Sequence, residues 1–483
     1  MTRPDPNSRP NVLLITVDHW FGRLLGGAGH PVIQTPTLDS LAAAGTRYTR
    51  AYSESPVCVP ARRTIMTGTT PRSHGDRTFQ QDLPMAEGLP TLAQTFRDNG
   101  YQAYAVGKLH VYPQRSRIGF DDVLLSEEGR SQWGVADDYE RFLAANGHAG
   151  LSYAHGMSNN QYTARPWHLP EAMHVTHWAA RSMAETIVRR DPTRPAFWYL
   201  SFTAPHPPLT PPAAYLDMYA GQEMDERIVG DWVTEGDKAP AQLQRRRHAD
   251  SPIGRRDAEE QLAKRAFYAQ CTYVDHQLRF VIGTLREQGL LDDTVILFTS
   301  DHGDMLGDHD LWAKRVFYEK SANVPMLLVG DTATEQVPAG TVDDRLVGLQ
   351  DVMPTLLGLA GIPVPETVEG VSMVDGERTF LHGEYGEGSE ATRMAHDGRY
   401  KLVYYPMGDV VQLFDVPNDP WDERDLAHDP DLATVRERLL RRIAEEAYGS
   451  DRDWITDGIP TGLPTQPQHL PVDRGLSQQR GLH

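Results

Sequence analysis

Four apolar runs in this chain each end on ionisable residues, and few folds bring such ends together. Asn11 to Val17 leads to Asp18 and His19, Tyr101 to Val106 to Gly107-Lys108-Leu109-His110, Ala196 to Thr203 to Ala204-Pro205-His206, and Thr294 to Thr299 to Ser300-Asp301-His302. Runs that are continuously apolar and rich in β-branched or aromatic residues are expected of parallel strands buried on both faces. Helical patterns fall between them: Thr37 to Ala44, Leu89 to Asn99, Glu171 to Arg190 and Ala258 to Gln288. Strands alternating with helices predict an α/β fold with a doubly wound, mostly parallel sheet. Sheets of that kind build their sites at the C-terminal strand ends, where these charged residues lie.

The chain changes character near Arg378. Arg399 to Tyr405 and Val410 to Asp415 read as short alternating strands, and Asp431 to Tyr448 as an amphipathic helix packed on them. The expected division is a catalytic α/β domain over 1–377, a smaller antiparallel-sheet subdomain over 378–449, and an extended tail over 450–483 that trails free or wraps a neighbouring subunit of a homo-oligomer. Two stretches show little periodicity, from Arg115 to Pro170 and from Leu209 to Pro252. They are expected to be loops around the mouth of the site, where substrate identity resides.

Thr46 to Tyr52 reads as another strand, leading into Pro56-Val57-Cys58-Val59-Pro60-Ala61-Arg62 and on to Thr67-Gly68. Proline stiffens this turn, which is expected to open into a helix near Ala61 with the Cys58 side chain at its start. A thiolate phosphatase loop needs an arginine six positions after the cysteine, where this chain has Thr64. A buried inert thiol is the other bland alternative.

The formal charge of −19 argues against a nucleic-acid binder, so positive charge or a metal must be concentrated locally if the substrate is anionic. No run approaches the roughly 18 apolar residues of a membrane helix. The two cysteines, Cys58 and Cys271, form no disulfide framework, and the expected compartment is the cytoplasm.

Val17-Asp18, Gly29-His30-Pro31, the C-x-P-x-R turn at Cys58, Gly107-Lys-Leu-His110, Ala204-Pro-His206-Pro, Ser300-Asp-His-Gly-Asp304 with Trp312-Ala-Lys314, and Leu413-Phe-Asp-Val-Pro-Asn-Asp-Pro420 resemble, in order, the motifs of the sulfatase family within the alkaline phosphatase superfamily. The resemblance implies that Cys58 is converted to formylglycine by a formylglycine-generating enzyme, and that its hydrate attacks a small-molecule sulfate ester. It also implies that Asp18, Asp301, His302 and the modified Cys58 hold one divalent metal, usually calcium. Arg62 would orient the hydrate, while Lys108, His110, His206 and Lys314 surround the sulfate. His206 is the expected general acid, with Lys314 in support, and His110 the base that lets the hydrate expel sulfate.

One departure stands out. Many sulfatases carry a second aspartate where this chain has His19, a substitution that resembles the choline-sulfatase and phosphonate monoester hydrolase branches. With His19 as a ligand the site has two imidazoles, and manganese becomes an alternative to calcium. The other expectations to be weighed are a phosphonate monoester or phosphodiester hydrolase using the same nucleophile, and a non-catalytic oxyanion binder with an unmodified Cys58. The Lys108 and His110 pair favours sulfate. Met305, Asp308 and His309 are expected close to the Asp301 strand as supporting or loop residues, and His148, His155, His168, His174 and His177 at the rim or on the surface, with some of them lining the substrate pocket.

Overall fold

The computed structural model describes residues 9–128, 137–234, 239–244, 257–332 and 336–465. Eight strands form the main sheet: β1 (Asn11–Asp18), β2 (Thr46–Tyr52), β3 (Gln102–Gly107), β4 (Asp122–Leu125), β5 (Ala196–Pro205), β6 (Thr294–Ser300), β7 (Met326–Val329) and β8 (Thr341–Gly348). Their order across the sheet is β4-β3-β5-β1-β6-β7-β2-β8. Every neighbouring pair is parallel except those made by β7, which runs antiparallel to both β6 and β2.

Side-chain alternation explains why β1 reads as continuously apolar. Val12 and Leu14 join one core with Val295, Leu297 and the helices Cys58–Thr67, Leu92–Asp98 and Val352–Leu359. Leu13, Ile15 and Val17 face the opposite core, built with Phe298, Leu200 and the helices Val175–Val188 and Asp257–Glu287. Because helices cover both faces, neither parity of the strand can be polar.

A second sheet follows, with four antiparallel strands in the order β12-β11-β10-β9: β9 (Leu381–Tyr385), β10 (Thr392–His396), β11 (Tyr400–Tyr405) and β12 (Val410–Asp415). In β11, Val403 and Tyr405 pack toward Phe317, Tyr318 and Val57 of the main body, while Leu402 and Tyr404 pack toward Leu439 and Ile443 of the helix Ala433–Glu446.

Three features depart from the sequence reading. Inside Arg115 to Pro170, expected to be loops, lie edge strand β4 and the helix Asp138–Ala145, whose start Asp137 caps by accepting from Glu140 N. The helix at Cys58 begins at that residue and not near Ala61, with Pro60 inside its first turn, where amide hydrogens have no intrahelical acceptor to lose. The stretch expected to be a tail is folded as far as residue 465. Trp454 is fully buried against Leu402 and Leu413, and Asp451 accepts from Arg393 Nη2 at 2.6 Å and Arg77 Nη1 at 2.8 Å. Residues 466–483, 129–136 and most of 235–256 lie outside the described residues.

Candidate active site

Four adjacent strands, β3, β5, β1 and β6, deliver Lys108, His206, Asp18 and Asp301 from their C-terminal ends to one place. The register aligns them: Gly107 pairs with Ser201, Asp18 with Pro205, and Val17 with Ser300. Gly107 is needed where β3 leaves the sheet. Its φ is +108°, and a Cβ there would sit 1.8 Å from Ser201 O.

The helix Cys58–Thr67 contacts these ends through Cys58 and Arg62. Cys58 and Arg62 are one turn apart and so share a face. Cys58 Sγ lies 3.3 Å from His302 Nε2 and 3.7 Å from Asp18 Oδ1. Asp18, Cys58, Asp301 and His302 are all buried and offer ligand atoms within 4.8 Å of one another. His302 Nδ1 donates to Gly303 O at 2.9 Å, which leaves the Nε2 lone pair facing the group.

Arg62 binds the strand ends together. Its Nε donates to Asp301 Oδ2 at 2.9 Å, and its Nη1 to Ser201 Oγ at 2.7 Å, Lys108 O at 2.9 Å and Tyr199 Oη at 3.2 Å. Lys108 Nζ bridges Asp18 Oδ2 and Glu128 Oε1 with no exposed surface of its own. On the other side, Lys314 Nζ contacts His19 Nε2 and lies 3.3 Å from His206 Nε2. His206 Nδ1 donates to Pro207 O at 2.6 Å, so its Nε2 is an acceptor toward Lys314. His110 stands 3.8 Å from Glu128 Oε2 and 3.9 Å from Glu127 Oε2.

His19 does not join the four-donor group. Its backbone is left-handed, with φ at 75°, and its Nδ1 meets Asp304 Oδ2 at 2.6 Å. Tyr162 donates to the same Asp304 oxygen. His19 instead groups with Asp18 and His206, its Nε2 3.7 Å from Asp18 Oδ1 and in contact with Lys314 Nζ, so the four-donor group holds one imidazole.

Burial opposes the charge on every one of these groups, and the neighbours decide the outcome. Burial pushes the Asp18 carboxyl up, but Lys108, His206, His19 and His302 hold it well below the usual carboxylate range. Burial and then the Asp18 charge raise Asp301. A divalent cation held by this group would offset the charge that raises Asp301, and two carboxylates with one correctly presented imidazole are a suitable donor set. Burial and Asp18 raise the Cys58 thiol, yet Lys108, Lys314 and His302 bring it below its ordinary value. Burial and Lys314 depress His206 and His19 strongly.

Beyond His206 a cavity opens, with about 580 Å³ of free space including its mouth. Glu128, Tyr139, Tyr153, Trp167 and His206 are among its walls, as are His155 and His174, two of the histidines expected at the rim. The first of the two unpatterned stretches supplies much of this wall, and among the described residues of the second Thr210 lines it. Asp308 and His309 are engaged elsewhere, with Lys320 at 2.8 Å and Trp421 O at 3.0 Å.

Sequence reasoning overlooked Glu128, Tyr162, Tyr199 and Ser201, and it quoted Asp304 in a motif without giving it a role. Tyr199 and Ser201 had a faint signal, as polar groups two apart on a strand that is otherwise apolar. Glu128 had none, because it follows an edge strand too short to show a period.

Comparison with known proteins agrees with this geometry. The sulfatase family profile matches residues 10–362, and that of the N-sulphoglucosamine sulphohydrolase C-terminal region matches 307–448. An arylsulfatase of Clostridium perfringens is 33% identical over 471 residues, covering 93% of this chain and 96% of that protein. A choline-sulfatase of Rhizobium meliloti is 30% identical over 444 residues, covering 87% and 83%. Among solved structures, the phosphonate monoester hydrolase of Agrobacterium radiobacter superposes with a TM-score of 0.76 at 24% identity, covering 95% of this chain and all of its own, a likeness of fold.

Proposed function

Since this chain belongs to the sulfatase family and is a sulfuric ester hydrolase, we propose that it cleaves a sulfate monoester to alcohol and sulfate with a nucleophile made from Cys58. The observation that carries this reading is the convergence of Asp18, Cys58, Asp301 and His302 beside two lysine ammonium groups.

Asp18, Asp301, His302 and the residue at position 58 would hold one divalent metal, calcium by its preference for carboxylate oxygen, which would polarise the nucleophile and offset sulfate charge. Formylglycine at position 58, installed by a formylglycine-generating enzyme, would supply an aldehyde hydrate as that nucleophile. The chain's own residues do the rest. Arg62 fixes Asp301 and the end of β3, so it positions the donor group. Lys108 and Lys314, both near Cys58, stabilise charge on the sulfate oxygens.

The leaving alcohol needs a proton. Lys314 holds one, and His206, locked by Pro207 O with its lone pair toward Lys314, orients that ammonium. This shifts the donor's role from His206 toward Lys314. His19, fixed by Asp304 and Tyr162, steadies Lys314 from the other side. His110, beside Glu127 and Glu128, is the candidate base.

Turnover of an aryl sulfate and an aryl phosphonate monoester by the matured protein, with Cys58→Ala as control, tests the reading. Faster hydrolysis of the sulfate, abolished in the control, is expected. Preference for the phosphonate would contradict it.

A further inference from the structure

Cys58 is encoded as a thiol, and a thiol changes what its neighbours can hold. The sulfur lies 3.3 Å from His302 Nε2 and 3.7 Å from Asp18 Oδ1. The same imidazole nitrogen lies 3.4 Å from Asp18 Oδ1 and 3.7 Å from Asp301 Oδ1. Donors at the corners of a tetrahedron, with bonds of about 2.3 Å to sulfur and about 2.0–2.1 Å to nitrogen or oxygen, stand about 3.3–3.6 Å from one another. The observed spacings are close to these, so little movement is needed for the group to close on one ion.

Each donor also presents a free lone pair to the same point. Asp18 Oδ2 is taken by Lys108 Nζ, and Asp301 Oδ2 accepts from Arg62 Nε at 2.9 Å, so in both carboxylates Oδ1 is the oxygen left to bind. Asp301 Oδ1 accepts from His302 N at 3.0 Å and keeps its second lone pair. His302 Nδ1, committed to Gly303 O, leaves Nε2 as the ligand atom. All four side chains are buried, which excludes the water that would otherwise compete for the ion. Two carboxylates and a thiolate exceed the charge of a divalent cation, and Lys108 and Arg62 answer the remainder.

The identity of the donors then selects the ion. Calcium takes about six to eight oxygen ligands and gains little from sulfur, whereas thiolate, imidazole and carboxylate in a four-donor set suit zinc. We propose that the encoded, unconverted protein is a zinc protein, in which Cys58 Sγ, His302 Nε2, Asp18 Oδ1 and Asp301 Oδ1 bind one Zn²⁺ and the thiol proton is released to solvent. Conversion of Cys58 removes the sulfur and with it the preference for zinc. Maturation on this account changes the class of metal that the same pocket takes.

The test uses the full-length protein made without a formylglycine-generating enzyme, its Cys58 verified by peptide mass and its metals stripped by chelation. Cobalt(II) reports the sulfur directly, because its bond to a thiolate gives an intense near-ultraviolet charge-transfer band. One equivalent of Co²⁺ should produce the band, one equivalent of Zn²⁺ should abolish it, and Cys58→Ser should not show it. Absence of the band in the wild-type chain, or its survival in Cys58→Ser, overturns the proposal. Calorimetry on the wild-type chain alone does not depend on the folding of the variant. Zn²⁺ should bind at least about 100-fold more tightly than Ca²⁺, and equal affinities or tighter calcium overturn the proposal. In Cys58→Ser the Zn²⁺ affinity should fall by more than about 100-fold, since loss of a group that only supports a metal ligand already costs about 10–100-fold. Neither measurement involves turnover, so failure here and failure to hydrolyse a sulfate ester are told apart.

Discussion

Replacing Lys314 with methionine keeps the length of the side chain and removes the only proton on the Lys314–His206 axis. His206 Nδ1 is committed to Pro207 O at 2.6 Å, so Nε2, 3.3 Å from Lys314 Nζ, is an acceptor with no proton of its own to give. General acid catalysis is worth about 10²–10⁴-fold, or about 3–5 kcal/mol of barrier. That loss should fall on esters whose alcohol departs badly. For an unactivated phenyl sulfate, with a phenol about as acidic as tyrosine, near 10, the full factor is expected. For a nitrophenyl sulfate, whose phenolate leaves without help, the loss should be about tenfold, from the missing ammonium charge alone. The assay is kcat on a series of substituted phenyl sulfates for both proteins, plotted against the acidity of the phenol. The variant's line should be steeper. Parallel lines would show that Lys314 supplies charge and no proton, and the donor would have to be sought elsewhere.

Arg62→Lys keeps the charge but cannot span Asp301, Ser201, Tyr199 and the Lys108 carbonyl together. It should destabilise the fold by about 3 kcal/mol in denaturant titrations, and an unchanged midpoint would deny Arg62 its tying role. Trp454→Ala removes a fully buried ring and should cost about 3–5 kcal/mol, whereas an unaffected melting curve would mean that the segment after Ser450 contributes nothing to the core. Burial, and then Arg63, push His74 down to about 3 in the folded protein, against about 6.5 unfolded. Its contribution is therefore present above pH 6.5 and is lost as pH falls toward 3. Between pH 7 and 5 the wild type should lose about 2 kcal/mol more stability than His74→Gln, and equal losses would contradict the neutral, buried histidine.

How far the sequence was legible depended on burial. β1, β5 and β6 could be read directly because both of their faces are covered, so no charged residue interrupts them until the site. β8 was hidden for the opposite reason: at the sheet edge its Thr341 to Arg345 half is partly exposed and carries Asp343 and Asp344. β4 and β7, four residues each, are too short to establish a period. The donor group was legible since each member ends a strand or begins a helix. The distinction between His19 and the four donors was not, because it depends on Asp304 and Tyr162 approaching from distant parts of the chain. The segment from Ser450 carries few apolar residues, and its order rests on one tryptophan and one aspartate that find partners in the second sheet.

The central claim concerns the chemical identity of residue 58. The most direct measurement is the mass of the peptide spanning Cys58, taken from protein that is hydrolysing an aryl sulfate. The account predicts that one sulfur and two hydrogens have been exchanged for one oxygen, which is the change from cysteine to the aldehyde. Active protein in which that peptide carries only the encoded cysteine would contradict it.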